Sequence, residues 1–249
     1  MKSEVTVVRT HGRSRFTVCL IGPDGVGKTT VTAKVKELLP MAVKYIYMGD
    51  NIESCNYILP TTRWWKKRQQ RRGTGQKLTR APSPADFKRR AAQSESPRSG
   101  GQRIMKLVKK AIGFVNRILD EWYRYFMVAY FKRRGFVVLM DRHFVYDYYH
   151  FDIAAQNGHR TLKRRLHGFL LKHTIPDPDL VICLDAPAEI IFKRKKEFSV
   201  EYIESRRQQY QSLKNVAKNF ALVDANRSLN QVVKEVRELI CNFNQKGAV

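Results

Sequence analysis

Short unbroken apolar runs alternate with stretches in which apolar residues recur every three or four positions, and the alternation sets out the elements. The runs Phe16-Thr17-Val18-Cys19-Leu20-Ile21, Val43-Lys44-Tyr45-Ile46-Tyr47-Met48, Phe136-Val137-Val138-Leu139-Met140, Leu180-Val181-Ile182-Cys183-Leu184 and Phe220-Ala221-Leu222-Val223 read as buried strands. Helical spacing runs from Lys28 through Val31, Val35, Leu38 and Leu39 and stops at Pro40. It returns over 104–131, with a bend expected at Gly113 and an end at Gly135. Further helical stretches cover 143–156, 161–173 and 188–219, the last with Pro187 at its start, and a final helix covers about 228–243 with Ser228 as cap. Strands separated by helices predict an α/β fold, a five-stranded parallel sheet with helices on both faces. Functional residues of such sheets collect at the carboxyl ends of the strands. Here the glycine-rich stretch 22–29, Asp141-Arg142, Asp185 and Asp224 all directly follow a strand.

The pattern lapses twice. Residues 1–14 read as a mobile arm. From about 61 to 102, Arg, Lys, Gln, Ser, Pro and Gly dominate, which predicts a flexible basic insertion. The chain of 249 residues is therefore expected to be one domain, with its core in about 14–58 and 103–244. Its formal net charge is +25, and residues 61–110 hold 16 Lys/Arg against 2 Asp/Glu. A field of that sign attracts polyanions, so nucleic acid or anionic lipid is an expected contact of 61–110. The helix that follows places Lys106, Lys109, Lys110 and Arg117 on a polar face that an anionic membrane would attract. No run is apolar enough to span a membrane, and the charged N-terminal stretch with Glu4, Arg9, Arg13 and Arg15 is not expected to act as a secretory signal. The four cysteines, Cys19, Cys55, Cys183 and Cys241, lack any C-x-x-C pairing, so a reduced, cytoplasmic setting is expected.

Candidate chemistry centres on Gly22-Pro23-Asp24-Gly25-Val26-Gly27-Lys28-Thr29-Thr30. A strand, a glycine turn and a helix start aim backbone N–H groups and the positive helix end at a polyphosphate. Gly22, Gly27, Lys28 and Thr29 fill the Gly-x4-Gly-Lys-[Ser/Thr] pattern of a phosphate-binding loop, which calls for a nucleoside triphosphate with Mg²⁺. Lys28 is placed to reach the β- and γ-phosphates and Thr29 to ligate the metal, with Asp141 as its second anchor. The planar fork of Arg142 suits an anionic acceptor. Arg194, Lys195 and Lys196 lie where a mobile lid could bring positive charge to the γ-phosphate. His143 reads either as a proton relay or as an aromatic substitute.

The chain resembles thymidylate kinase and its relatives among the P-loop nucleotide kinases. The likeness rests on the glycine loop, on Arg134-Gly135 through Asp141-Arg142-His143, on Pro178-Asp179 through Asp185-Ala186-Pro187, on 201–210 and on Val223-Asp224-Ala225. It implies that Asp24 sits near the acceptor's sugar hydroxyl and that Arg142 holds its phosphate. Some members carry a catalytic arginine in the loop where this chain has Gly25, and the resemblance passes that role to Arg194, Lys195 and Lys196. Departures fall on the acceptor half. Met48-Gly49-Asp50-Asn51 stands where the family has Arg-Glu-Pro, and Val145-Tyr146-Asp147-Tyr148-Tyr149-His150 replaces its thymine-reading run. Three readings stay open: a nucleoside monophosphate kinase, with thymidylate as family default; a kinase of a sugar or cell-surface glycan precursor; and an NTP-binding module on nucleic acid or membrane. The first two take a small-molecule phosphate acceptor, and a homodimer is left open.

Overall fold

The computed structural model describes residues 15–49, 54–71, 100–154 and 161–246, so the N-terminal arm and residues 72–99 lie outside it. Five strands form one parallel sheet: β1 (Thr17–Ile21), β2 (Val43–Tyr47), β3 (Val137–Asp141), β4 (Leu180–Asp185) and β5 (Phe220–Asp224), in the order β2-β3-β1-β4-β5. All five expected strands are present, each within a residue of its apolar run. Alternate residues of β1 feed opposite faces. Val18 and Leu20 pack in a cluster with Val31 and Val35 of α1 (Lys28–Leu38) and with Val232, Val236 and Ile240 of the C-terminal helix. Cys19 and Ile21 pack in a second cluster with Tyr125, Val128 and Phe131. Both faces are therefore dry, which explains why the strands read as continuous apolar runs.

The chain divides into two compact units, Met1–Tyr57 with Tyr123–Val249, and Ile58–Trp122. The smaller unit holds α2 (Pro60–Arg71) and most of α3 (Gly100–Arg133). The expectation of a flexible insertion beginning at residue 61 therefore does not hold for 61–71, which is helical. Pro60 suits a helix start, and the Arg, Lys and Gln that follow are good helix formers despite their polarity. Gly113 lies inside a continuous helix. Among the described residues no helix is long and apolar enough to cross a membrane.

After β3 the predicted helix 143–156 proves composite. It is an α-helix, α4 (Phe144–Tyr148), that runs into a π-turn over Tyr149–Ile153, in which Ala154 N donates to Tyr149 O across five residues (2.7 Å). α5 (Leu162–Thr174) follows, capped by Thr161. The stretch 188–219 is likewise divided, into α6 (Ala188–Arg194), α7 (Val200–Ser212) capped by Ser199, and a 3-10 turn over Leu213–Asn215. α8 (Leu229–Lys246) opens with Ser228 and Gln231 bonded reciprocally, a capping box. At the opposite, amino-terminal edge of the sheet, Asp179 accepts from Thr17 N (2.8 Å), Thr17 Oγ1 (2.9 Å) and Lys132 Nζ (2.7 Å), tying β1 and the end of α3 to the start of β4.

The loop between β1 and α1 packs closely against the end of β4. A methyl group added at Gly22, whose φ is 138°, would lie 2.3 Å from Leu184 O of β4, whereas one at Gly27 (φ 105°) would meet nothing within 4 Å. Gly22→Ala is therefore expected to lower stability by about 3 kcal/mol, backbone clash and positive φ adding, while Gly27→Ala costs about 1–2 kcal/mol from φ alone. Urea unfolding of the two variants measures the difference; equal losses would remove the Leu184 contact as the cause.

Candidate active site

Three strand ends and the first turn of α1 converge on a small set of side chains. Gly27, in a left-handed conformation, precedes α1, no side chain caps the helix, and its first turn carries no acidic residue. The amide groups there are of the kind that anions satisfy. Lys28 opens that turn and is only 5% exposed. Its ammonium donates to Gly22 O (2.7 Å) and Pro23 O (2.8 Å) and lies 3.7 Å from Asp24 Oδ1. Burial, with the nearby Arg142 charge adding, pushes the amine down to about 8, against the pull of Asp24 and Asp141.

Asp24 also pairs with Arg142. Burial raises its carboxyl, but Lys28 and Arg142 outweigh that and hold it at about 2. Arg142 is the one non-glycine residue with positive φ (76°) among those described, and its N–H donates to Leu20 O (3.0 Å) at the end of β1. Such a conformation costs about 1–3 kcal/mol in a non-glycine residue and collects at ligand clamps. It turns the arginine back over the phosphate loop.

Thr29 Oγ1 donates to Asp141 Oδ2 (2.6 Å), which also accepts from Tyr45 OH (3.3 Å). Asp141 is fully buried, and its other oxygen, Oδ1, has no hydrogen-bond partner. A hard anionic oxygen without a donor beside a hydroxyl suits Mg²⁺, which takes one or two carboxylates and fills its remaining sites with water and phosphate. Among the described residues no cluster of three His, Cys, Asp or Glu forms a closed metal site, and Mg²⁺ does not require one. Thr30 is exposed on the same turn.

The three lid candidates separate. Arg194 donates to Ala225 O (3.0 Å) and reaches Val26 O (3.5 Å), so it ties the loop to the end of β5. Lys195 lies beside the loop: a methyl added at Gly25 would stand 3.1 Å from its Cβ, and its charge helps to lower Asp24. Its ammonium pairs with Glu197 (2.6 Å). Lys196 is exposed. The remaining strand-end carboxylates serve structure. Arg207 grips Asp185 with two donors (2.8 and 2.9 Å) and Gln211 adds a third (2.8 Å), while Asp224 accepts from Asn226 N (2.8 Å) in a turn.

The aromatic run after Arg142 divides between core and site. Tyr146 is 2% exposed, and Tyr148 packs edge-on against His167. His143 is buried between Tyr125 and Tyr146, with its Nε2 hydrogen-bonded to Tyr125 OH (2.5 Å), and burial lowers its pKa to about 3, which favours the neutral imidazole. Toward the site stands Asp147 instead, which accepts from Tyr210 OH of α7 (2.8 Å). Burial raises its carboxyl against the pull of Arg142. Arg206 donates to Tyr210 OH (3.0 Å) and stacks on the Tyr210 and Phe151 rings at 4.8 and 5.0 Å. Sequence reasoning gave Arg206 and Tyr210 no role. Beyond their place in the stretch 201–210, the signal for them is the Arg-x-x-x-Tyr spacing on a helix.

No protein-family model matches the chain, but individual relatives do. It is 25% identical over 234 residues to the probable thymidylate kinase of Archaeoglobus fulgidus, spanning 91% of this chain and 95% of the relative. Over 123 residues it is 27% identical to the thymidylate kinase of Thermosipho africanus, 43% of this chain and 56% of that one. Among solved structures, the thymidylate kinase of Candida albicans superposes with a TM-score of 0.57 at 17% identity, over 94% of this chain and 93% of that one. The resemblance read from the motifs thus extends over most of the chain, and the fold is that of a thymidylate kinase-like P-loop domain.

The depressed Asp24 carboxyl has a consequence for stability. A carboxyl held below its ordinary 3.8 favours the folded state above that pH, and the contribution fades as pH falls from 3.8 towards 2. Asp24→Asn is expected to flatten this part of the acid unfolding profile and to lower stability at neutral pH. Urea midpoints across the acid range test it; parallel profiles for the two proteins would refute the pairing.

Proposed function

We propose that this chain is a P-loop kinase that transfers the γ-phosphoryl group of ATP to a nucleoside monophosphate, thymidylate being the first acceptor to test. The observation that carries the reading is the meeting of Lys28 and Arg142 on one carboxylate, Asp24. A lysine on the phosphate loop and an arginine outside it are the charges needed on either side of a transferred phosphoryl group. An acceptor phosphate oxygen attacks the γ-phosphorus, the bond to the β–γ bridging oxygen breaks, and ADP departs with that electron pair. The acceptor phosphate, with its second pKa of about 6, is already ionised at neutral pH, so no general base is needed. Gly22, Asp24, Gly25, Gly27, Lys28, Thr29 and Thr30 form the cradle. Lys28 exchanges carbonyl partners for the β- and γ-oxygens, Arg142 holds the acceptor's anionic group, and Lys195, beside Gly25, is the lid cation best placed to follow the γ-phosphoryl. Thr29 and Asp141 would hold Mg²⁺, which when bound neutralises charge on the phosphate oxygens.

A second reading, transfer to a sugar or a cell-surface glycan precursor, is favoured by one observation. Tyr146 and Tyr148, at positions where the family reads thymine, are spent on the core and on His167. The Candida albicans relative is itself described as broad in substrate specificity. Thymidylate turnover is accordingly expected to be weak or poorly selective. A coupled ADP-release assay across the common monophosphates and several sugar acceptors decides between the readings: fast turnover confined to thymidylate removes the second, and one responsive sugar removes the first.

Two substitutions test the roles. Lys28→Ala is expected to lower phosphoryl transfer by about a thousandfold or more with the fold retained; wild-type turnover would refute the donor assignment. Arg142→Ala is expected to raise the acceptor KM by roughly ten- to a hundredfold, the worth of a charged hydrogen bond, while affinity for an ATP analogue stays close to wild type. Calorimetry showing lost nucleotide affinity with unchanged acceptor kinetics would reverse the two roles.

A further inference from the structure

The first twenty residues of α3 turn their apolar side to solvent. Ile104, Leu107, Val108, Ile112, Val115 and Leu119 recur at intervals of three and four, so they share one side of the helix, and each is 46–64% exposed. Singly scattered exposed apolar residues are ordinary; a contiguous row marks an interaction surface. Over the same residues 100–119 the sequence holds five Lys/Arg and no Asp/Glu. Lys109 and Lys110 are exposed and, by helical phase, lie off the row. α2 adds Trp64, 58% exposed, with the Arg68 guanidinium 5.1 Å above its ring. Within this unit the start of α2 is fixed to α3: Leu59 N donates to Asp120 Oδ1 (2.9 Å), Thr61 Oγ1 to Asn116 Oδ1 (2.9 Å) and Asn116 Nδ2 to Thr62 Oγ1 (2.8 Å). The row and the tryptophan therefore sit on one folded unit.

Three occupants differ in how they meet these features. Nucleic acid would satisfy the cations and could stack on Trp64, but it would leave the branched aliphatic row of α3 in water, because single-strand recognition needs aromatic faces. A second copy would bury the row, yet it would bring together two units that each carry 17 Lys/Arg against 4 Asp/Glu over residues 58–122. The surface of an anionic bilayer answers both at once. Aliphatic side chains enter the acyl boundary, tryptophan sits at headgroup level, and cations off the row reach the lipid phosphates. We propose that the unit Ile58–Trp122 docks on an anionic lipid surface, α3 lying in the interface plane with Ile104, Val108, Ile112, Val115 and Leu119 directed into it. The proposal does not rest on the kinase reading, since none of these residues belongs to the phosphate loop or its partners.

The test uses the full chain and vesicles of phosphatidylcholine alone or with one third phosphatidylglycerol, read by co-sedimentation and tryptophan emission. Binding is expected only to the anionic vesicles, with a blue shift, and added salt should weaken it without abolishing it, because the apolar share is not screened. The double variant Val108→Asp/Val115→Asp, at two exposed positions, should bind about tenfold or more weakly while keeping its circular dichroism and nucleotide affinity. Lys109→Glu/Lys110→Glu should also weaken binding, through the charge. Equal binding by the aspartate variant and the wild type would overturn the proposal, as would binding that salt removes completely. A stable wild-type dimer in sedimentation equilibrium that the aspartate variant dissolves, with no vesicle binding, would assign the row to a second copy. Strong single-stranded DNA binding without vesicle binding would assign the unit to nucleic acid.

Discussion

A buried ammonium must be solvated by something, and most of the site follows from how Lys28 is accommodated. Desolvation lowers its pKa to about 8, so at neutral pH the charge is retained only because carbonyl oxygens and Asp24 stand in for water. Those carbonyls belong to Gly22 and Pro23, whose backbone can turn inward because Gly22 has no side chain to strike Leu184 of β4. The sheet thus enters the electrostatics directly. β4 fixes the loop, the loop fixes the lysine, and the lysine shares its counter-ion with an arginine at the end of β3.

That sharing couples the two halves of the site. Asp24 is the common partner of Lys28 and Arg142, and Arg142 reaches it through a strained backbone conformation. A phosphate that draws either cation away leaves the other with a larger share of the carboxylate. Asp147, Tyr210 and Arg206 extend the network onto α7, whose other side is held to β4 by Arg207 on Asp185. This helix is therefore clamped through Arg207 while Arg206 bonds Tyr210, the partner of Asp147.

What was legible in the sequence follows from burial. Strands covered on both faces become unbroken apolar runs, so all five were readable, and so were the glycine loop and the Asp141-Arg142 pair at their ends. Three kinds of feature were not. α2 is polar apart from Trp64 and Trp65, and its composition resembles that of a loop although its Arg, Lys and Gln are good helix formers. The break over 195–199 falls in a charged stretch with no apolar periodicity to interrupt. The fate of each strand-end carboxylate depends on what arrives from elsewhere: Asp185 meets Arg207 and becomes structural, whereas Asp141 keeps one oxygen without a donor. Likewise nothing local sends Tyr146 to the core and Asp147 toward α7.

The π-turn at Tyr149–Ile153 bears on how this chain can be aligned with its relatives. A π-turn accommodates one more residue than an α-turn, so every side chain beyond it is rotated by about one helical position, roughly 100°. Correspondences counted along an ideal helix from Arg142 therefore hold up to Tyr148 and slip afterwards. Phe151, which stacks under Arg206, lies within this turn. A residue-by-residue transfer of base-reading roles across this segment, from any helix that lacks the turn, would compare positions that face different ways, even where the letters agree.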